Sequence, residues 1–299
     1  MIEEIDDDRE SGRRGEGQSP RQRMIEQMRI ANLAAESTQS AYLFEVERLA
    51  RHYGTSPADL DAEQLRDWVL KLIDRGLSPS STNSTLAAFR FLYVETLGCA
   101  ERVAGLRNRK KPRALPRHMT AEEVERLILA TPDLQHRAAF VTAYGAGLRV
   151  SETVAGKVGD IESDRKCLHI PSGKGGAERM APLPDGVIHY LRSYFKNIWP
   201  QPASWLFYDA SPDRPTPTQA LHRAFKQARD KLGIDPRLTL HSLRHSVATH
   251  LLERGADIEV IRDALVHRSA DTTRDYARAT GKMFETLDHP LSGFPVLRS

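Results

Sequence analysis

Residues 239–276 limit most strongly what this chain can fold into, because their pattern predicts three helices separated by two short breaks and contains many polar side chains. His241 and Arg244 are three residues apart at the start of the first helix, so their side chains project from one face. Gly255 ends that helix, and Asp257 can cap the next one. The pattern therefore predicts a helical region with an imidazole and a guanidinium side by side.

The rest of this stretch adds two more polar groups. The second helix has an apolar face made of Ile258, Ile261 and Leu265. His267 follows it, and Asp271 can cap a short third helix that carries Tyr276. Two imidazoles, a guanidinium that stays protonated and a phenol suit phosphate chemistry, because the oxygens of an attacked phosphodiester gain charge and need fixed cations around them.

The spacing of these groups, H-x-x-R followed by a histidine and then a tyrosine nine residues later, resembles the signature of the tyrosine recombinases, the integrase family that includes the Xer and phage enzymes. The resemblance covers about residues 24–280. One position departs from the family pattern, since Val266 stands where these enzymes usually have glycine.

Two further motifs match the same family. Residues 146–152, Ala-Gly-Leu-Arg-Val-Ser-Glu, correspond to the turn that presents the first catalytic arginine, here Arg149. Strand-like patterns over 158–183 enclose a predicted hairpin tip at residues 172–176, Ser-Gly-Lys-Gly-Gly. In tyrosine recombinases this hairpin carries a lysine that reaches the leaving oxygen, and Lys174 is at the matching place. Read without that context, either cation could be a solvated surface charge.

The resemblance implies two transesterifications that use no metal, nucleotide or other cofactor. Tyr276 would attack the scissile phosphate and form a 3′-phosphotyrosyl link, which a 5′-hydroxyl of the partner strand then reverses. The resemblance also implies roles for the other residues. Arg149 and Arg244 would neutralise the phosphate oxygens, and His267 would donate a hydrogen bond to the phosphate. His241 would transfer a proton or position a group, and Lys174 would protonate the leaving oxygen.

Other kinds of site are weaker interpretations of these residues. His241 and His245 have the spacing of two zinc ligands, but no glutamate base stands between them and no third ligand stands out. His245 and His250 are therefore expected to pack or to support their neighbours. The hairpin tip lacks the spacing of a nucleotide-binding loop. We expect neither a metal site nor a nucleotide site.

Composition and charge predict the domain organisation. The chain has 299 residues, 40% of them hydrophobic and 28% charged, which is enough for two domains with separate cores. Residues 1–20 hold seven acidic residues and three arginines with almost no apolar side chains, and are expected to be disordered. A helical domain at 21–100 and a catalytic domain at 118–299 are expected on either side of a basic linker, 101–117, whose seven basic residues could contact phosphate.

The expected fold is mainly α-helical, with a small antiparallel β-hairpin in the catalytic domain. The first domain is predicted to contain four helices. The first is near residues 22–35, the second begins at a cap formed by Ser37 or Thr38, the third ends at Gly76, and the fourth runs from about Pro79 to Gly98. It resembles the core-binding domain of the family, which forms a two-domain clamp on DNA. In the catalytic domain, helices are expected from a capping box at Thr120 and Glu123 and over about 134–145, 185–197 and 217–232. Arg223, Lys226 and Arg229 on the last could face DNA or could be a plain solvated face.

The sequence thus predicts a site-specific DNA recombinase or integrase of a mobile element. Its expected partners are double-stranded DNA with specific recombination sites and further copies of the chain, as a tetramer on synapsed DNA, with or without a sister recombinase. Two alternatives remain open: a type IB topoisomerase, which would act on one duplex, and an accessory protein that binds without cleaving. No window approaches the roughly 18 apolar residues of a membrane helix. The acidic first residues lack a secretion signal, so we expect no membrane partner and a cytoplasmic protein.

Overall fold

The computed structural model describes residues 19–31, 33, 36–110, 117–171, 178–265 and 289–294. The chain divides into two compact units, Met1–Ala114 and Leu115–Ser299, and each has its own hydrophobic core. Within the described ranges, no helix is both long enough and apolar enough to cross a membrane.

The first unit is helical throughout its regular structure. Its elements are α1 (Pro20–Ile30), α2 (Glu36–Tyr53), α3 (Ala62–Asp74) and α4 (Pro79–Arg90), which continues as a π-helical segment, Phe91–Thr96. A capping box between Asp61 and Gln64 begins α3. The four predicted helices are present, but α2 begins at Glu36. Ser37 and Thr38 therefore lie inside its first turn, and the predicted cap there is wrong.

Basic residues that follow the fourth helix help to build the first unit. Arg102 donates hydrogen bonds to two backbone carbonyls of the loop before α3, at 2.5 and 2.9 Å. The backbone of Arg109 exchanges two hydrogen bonds with the Asn83 side chain on α4, at 2.8 and 3.0 Å. Arg107 and Lys110 are exposed. The basic run thus combines cations that hold the fold with cations that face solvent.

The second unit combines seven helices of the described residues with a small sheet. Its elements are α5 (Ala121–Ala130), α6 (Leu134–Gly145), α7 (Val150–Ala155), β1 (Ile161–Glu162), β2 (Cys167–Ile170), β3 (Arg179–Pro182), α8 (Asp185–Asn197), α9 (Thr218–Lys231), α10 (His241–Glu253) and α11 (Ile258–Leu265). The strands pair antiparallel in the order β1-β2-β3, with Ile170 opposite Arg179. The predicted class, mainly helical with a small antiparallel sheet, is confirmed.

Helix α6 is the centre of the second unit. Its residues from Ala138 to Gly145 are all buried, and α5, α7, α8, α9 and α10 pack around it. The predicted capping box between Thr120 and Glu123 begins α5. Because α6 is enclosed on every side, the turn that follows it and the first turn of α10 are held in fixed positions beside each other.

Two predicted helix faces differ from the structure. Arg223 and Lys226 are exposed, but Arg229 is only 8% exposed and donates to two carbonyls of the loop before α10. Each step of three residues turns a side chain about 60° around the helix axis, so Arg229, two such steps from Arg223, falls on the inner face. Ile258 was expected in the apolar face of α11, yet it is 64% exposed, whereas Ile261 is buried.

Candidate active site

The structure describes half of the predicted catalytic residues. Arg149, His241 and Arg244 lie in the described part of the second unit. The described residues do not include Lys174, His267, Tyr276 or Val266. The geometry therefore concerns the three described groups and the side chains that hold them.

Arg149 is presented by a tight turn at the end of α6. Gly147 has a φ of 60°, the left-handed conformation that glycine adopts without steric cost, and the Leu148 amide donates back to the Ala143 carbonyl at 2.9 Å. Glu152 accepts hydrogen bonds from the Arg149 backbone amide at 2.9 Å and from its guanidinium at 2.7 Å. One carboxylate thus fixes both ends of Arg149, whose side chain is still 38% exposed.

Arg244 approaches the same turn from α10. Its Nη1 donates to the Gly147 carbonyl at 2.5 Å, and its Nη2 donates to the Leu265 carbonyl at the end of α11. Nη1 also lies 3.6 Å from the Glu152 carboxylate. Burial and the neighbouring arginines lower the pKa of Arg244 to about 10, so the guanidinium keeps its charge at neutral pH.

A third arginine, which the sequence analysis missed, completes the group. Arg179 begins β3 and is 6% exposed. Its Nη2 donates to Glu152 at 2.8 Å, and its Nη1 donates to the Ala264 carbonyl at 3.0 Å. Burial lowers the pKa of Arg179, and the Glu152 carboxylate opposes that effect. Its sequence signal is a charged side chain at an inward position of a short strand, where Ala181 is the next inward residue.

Glu152 joins these three guanidiniums into one cluster, which we call the arginine cluster: Arg149, Arg179, Arg244 and Glu152. Burial works to raise the pKa of Glu152, but the charges of Arg179 and Arg149 outweigh it, so the pKa lies below its ordinary value. Three positive charges therefore face one negative charge. An excess of planar donors beside a half-exposed Arg149 suits an anion with several oxygens.

His241 lies one turn from Arg244 on α10 and is exposed. Burial of part of its ring lowers its pKa, and the positive charges of His245, Arg244 and Arg149 lower it further. The His241 and His245 rings are 4.6 Å apart. A neutral imidazole at neutral pH can accept or relay a proton beside the arginine cluster.

His250 has a structural role in the second unit. His250 Nε2 donates to the Met119 carbonyl at 2.9 Å, so its Nδ1 accepts the hydrogen bond from the Tyr144 hydroxyl at 2.7 Å. The terminal segment packs on the same tyrosine, since the Phe294 ring stacks on Tyr144 at 5.9 Å. No group of three or more histidine, cysteine, aspartate or glutamate side chains in the described ranges could hold a metal ion.

Comparison with known proteins identifies the family and the fold of the chain. The phage integrase family matches residues 117–283, and the N-terminal SAM-like domain of phage integrases matches residues 21–100. Over 282 residues the chain is 37% identical to the y4qK protein of Sinorhizobium fredii, an inferred integrase/recombinase, with 90% of each chain covered. It is 36% identical over 234 residues to tyrosine recombinase XerA of Pyrococcus furiosus, and the matched region covers 77% of this chain and 79% of that protein. A lambda integrase dimer bound to a core site shares the fold, with a TM-score of 0.67 at 19% identity over 84% of this chain and 96% of that chain.

Proposed function

The chain belongs to the phage integrase family of tyrosine recombinases, and from this premise we propose that Tyr276 cleaves and rejoins DNA strands at specific recombination sites. The observation that carries the proposal is the arginine cluster, where Arg149 and Arg244 are held within reach of one carboxylate. A phosphodiester under attack needs cations placed in advance around its non-bridging oxygens.

The reaction consists of two transesterifications. The Tyr276 hydroxyl gives up its proton and its oxygen forms a bond to the scissile phosphorus, while the bond to the 5′-oxygen breaks and that oxygen takes up a proton. The product is a 3′-phosphotyrosyl link with a free 5′-hydroxyl. In the second step a 5′-hydroxyl attacks the same phosphorus and releases the tyrosine, so no phosphodiester bond is lost overall. The exchange needs neither a nucleotide nor a metal.

Each candidate residue has a defined role in this scheme. Arg149 and Arg244 bind the non-bridging oxygens, and their positive charge also favours the phenolate as it forms, since an unperturbed tyrosine has a pKa of about 10. His241 positions or relays a proton near the nucleophile. Lys174 protonates the leaving 5′-oxygen, and His267 donates to the phosphate.

We propose double-stranded DNA as the substrate and a tetramer as the working assembly. The support is that a related lambda integrase has been solved as a tetramer on a Holliday junction, together with the exposed cations Arg107, Lys110, Arg223 and Lys226 of this chain. Since the substrate is the DNA of the cell, the cytoplasm is the expected compartment.

A strand-exchange assay tests the proposed function. Two labelled duplexes, taken from the DNA that flanks the gene encoding this chain, are mixed with the protein in excess chelator. The Tyr276→Phe variant is the control. Hybrid strands drawn from both duplexes, absent with the variant, are the expected result. Relaxation of one duplex without exchange would instead identify a topoisomerase, and binding without cleavage an accessory protein.

A further inference from the structure

Arg179 contacts two elements that carry or adjoin the candidate site. Through Glu152 it contacts α7 beside Arg149, and through the Ala264 carbonyl it contacts the last turn of α11. Arg244 donates to the next carbonyl, that of Leu265. Two guanidiniums therefore occupy successive carbonyls at the C-terminal end of one helix, where the helix dipole favours cations.

We propose that Arg179 is a positioning residue for strand cleavage: it holds the Glu152 carboxylate in place so that Arg149 and Arg244 direct donors to the scissile phosphate. The inference rests on the proposed function. It adds a residue that acts through another group, since Arg179 is buried and does not need to touch DNA.

The distances explain why the carboxylate needs this partner. Glu152 Oε2 is 2.8 Å from Arg179 and 3.6 Å from Arg244, so Arg179 satisfies the oxygen while Arg244 stays beyond hydrogen-bond distance. A buried carboxylate that loses a charged partner is strongly unfavourable and attracts another cation in its place. Arg149 already donates to the other oxygen, Oε1, so Arg244 is the guanidinium that can replace Arg179 at Oε2. Without Arg179, a movement of less than about 1 Å would bring Arg244 onto Glu152 and turn its donors away from the phosphate.

If Arg179 only stabilises the fold, its replacement has different consequences. A substrate with a neutral scissile phosphate distinguishes this structural role from a positioning role. Replacing one non-bridging oxygen of the scissile phosphate by a methyl group removes its negative charge, so cleavage of this methylphosphonate depends less on well-placed arginines. A variant that only loosens the fold loses the same factor on both substrates. A variant that misplaces Arg149 and Arg244 loses much less on the neutral one.

The test compares single-turnover cleavage by the full chain on the two substrates. Arg179→Met keeps the length of the side chain and removes its charge, and we expect roughly 100-fold slower cleavage of the phosphodiester, as for a catalytic group displaced by about 1 Å. The loss on the methylphosphonate should be at least about ten times smaller. The double variant Arg179→Met/Glu152→Gln should recover at least about tenfold, because the neutral amide no longer attracts Arg244.

Arg229→Met is the matched control, because Arg229 is also buried and also donates to two backbone carbonyls, but it makes no contact with Glu152 in the described residues. It should lose an equal factor on both substrates. If Arg179→Met fails to fold by thermal melting, Arg179→Lys, which keeps the charge but not the two-point contact, should show a smaller loss with the same substrate dependence. Equal losses on both substrates, or no recovery in the double variant, would overturn the role of Arg179 alone. Absence of cleavage by the unaltered chain would overturn the proposed function with it.

Discussion

Single residues carry the electrostatics of the site, and His241 shows how. Its pKa lies below the ordinary 6.5, through partial burial first and then the positive charges of His245, Arg244 and Arg149. The unfolded chain therefore binds a proton on this histidine at a higher pH than the folded chain does. Its contribution to stability is present above pH 6.5 and is lost as the pH falls through the lower folded pKa.

We predict that the titration of His241, followed by proton NMR of its ring, has a midpoint below 6.5 in the free protein. In His245→Gln the midpoint should move up towards 6.5 without reaching it, because the like charge is removed but the burial remains. His189→Gln is a suitable control, since His189 lies on α8 and is absent from the groups that shift His241. A midpoint unchanged in His245→Gln would contradict the proposed coupling.

The proposed role of Lys174 as an acid can be tested through the leaving group. A general acid matters only when the leaving group needs a proton, and a thiol with a pKa near 8.5 leaves without one. Lys174→Ala should cleave ordinary DNA slowly but cleave DNA with sulfur at the bridging 5′ position nearly as fast as the unaltered chain. Arg149→Ala should show no such recovery, because its target oxygens remain. Equal recovery in both variants would remove Lys174 from the role of acid.

Among elements, the turn after α6 is the one on which the site depends most. An added Cβ at Gly147 would be strained by its φ of 60° and would overlap Leu265, whose carbonyl binds Arg244. Gly147→Ala should lower the free energy of unfolding by about 2–4 kcal/mol. Gly233→Ala is the matched control, with a φ of 67° and nothing within 4 Å of the added atom, and should cost only about 1 kcal/mol. Equal losses in chemical denaturation would mean that the contact with Leu265 is unimportant.

The ends of helices could be predicted where the residues that determine them are close together in the sequence. Helix α8 has the predicted bounds, and the capping box at Thr120 is present, because both follow from residues a few positions apart. The burial of Arg179 and Arg229 could not be predicted in the same way. The acceptor of Arg179 at the end of α11 is 85 residues away, and those of Arg229 are in an irregular loop whose path has no periodic signal. Glu152 was visible in its motif, but its role as a shared acceptor for three arginines follows only from packing.

For the whole molecule, the division at Ala114 and Leu115 predicts separable behaviour. A fragment of residues 115–299 should fold, because its core is complete without the first unit. Its DNA affinity should fall by roughly 100-fold, since linked binding modules gain 10²- to 10⁴-fold from their connection. Circular dichroism and fluorescence anisotropy on the same DNA measure the two effects. A fragment that binds as tightly as the full chain would exclude a DNA-binding role for the first unit.

The most direct test of the central claim is to identify the covalent link between protein and DNA. The full chain is incubated with a duplex nicked just 3′ of the scissile phosphate, so that the short fragment that carries the freed 5′-hydroxyl diffuses away and the intermediate accumulates. Mass spectrometry of the digested complex should find the 3′-phosphate of the DNA on the Tyr276 peptide, and Tyr276→Phe should bind the same DNA without forming an adduct. An adduct on another residue, a link through a 5′-phosphate, or an adduct that persists in Tyr276→Phe would contradict the account.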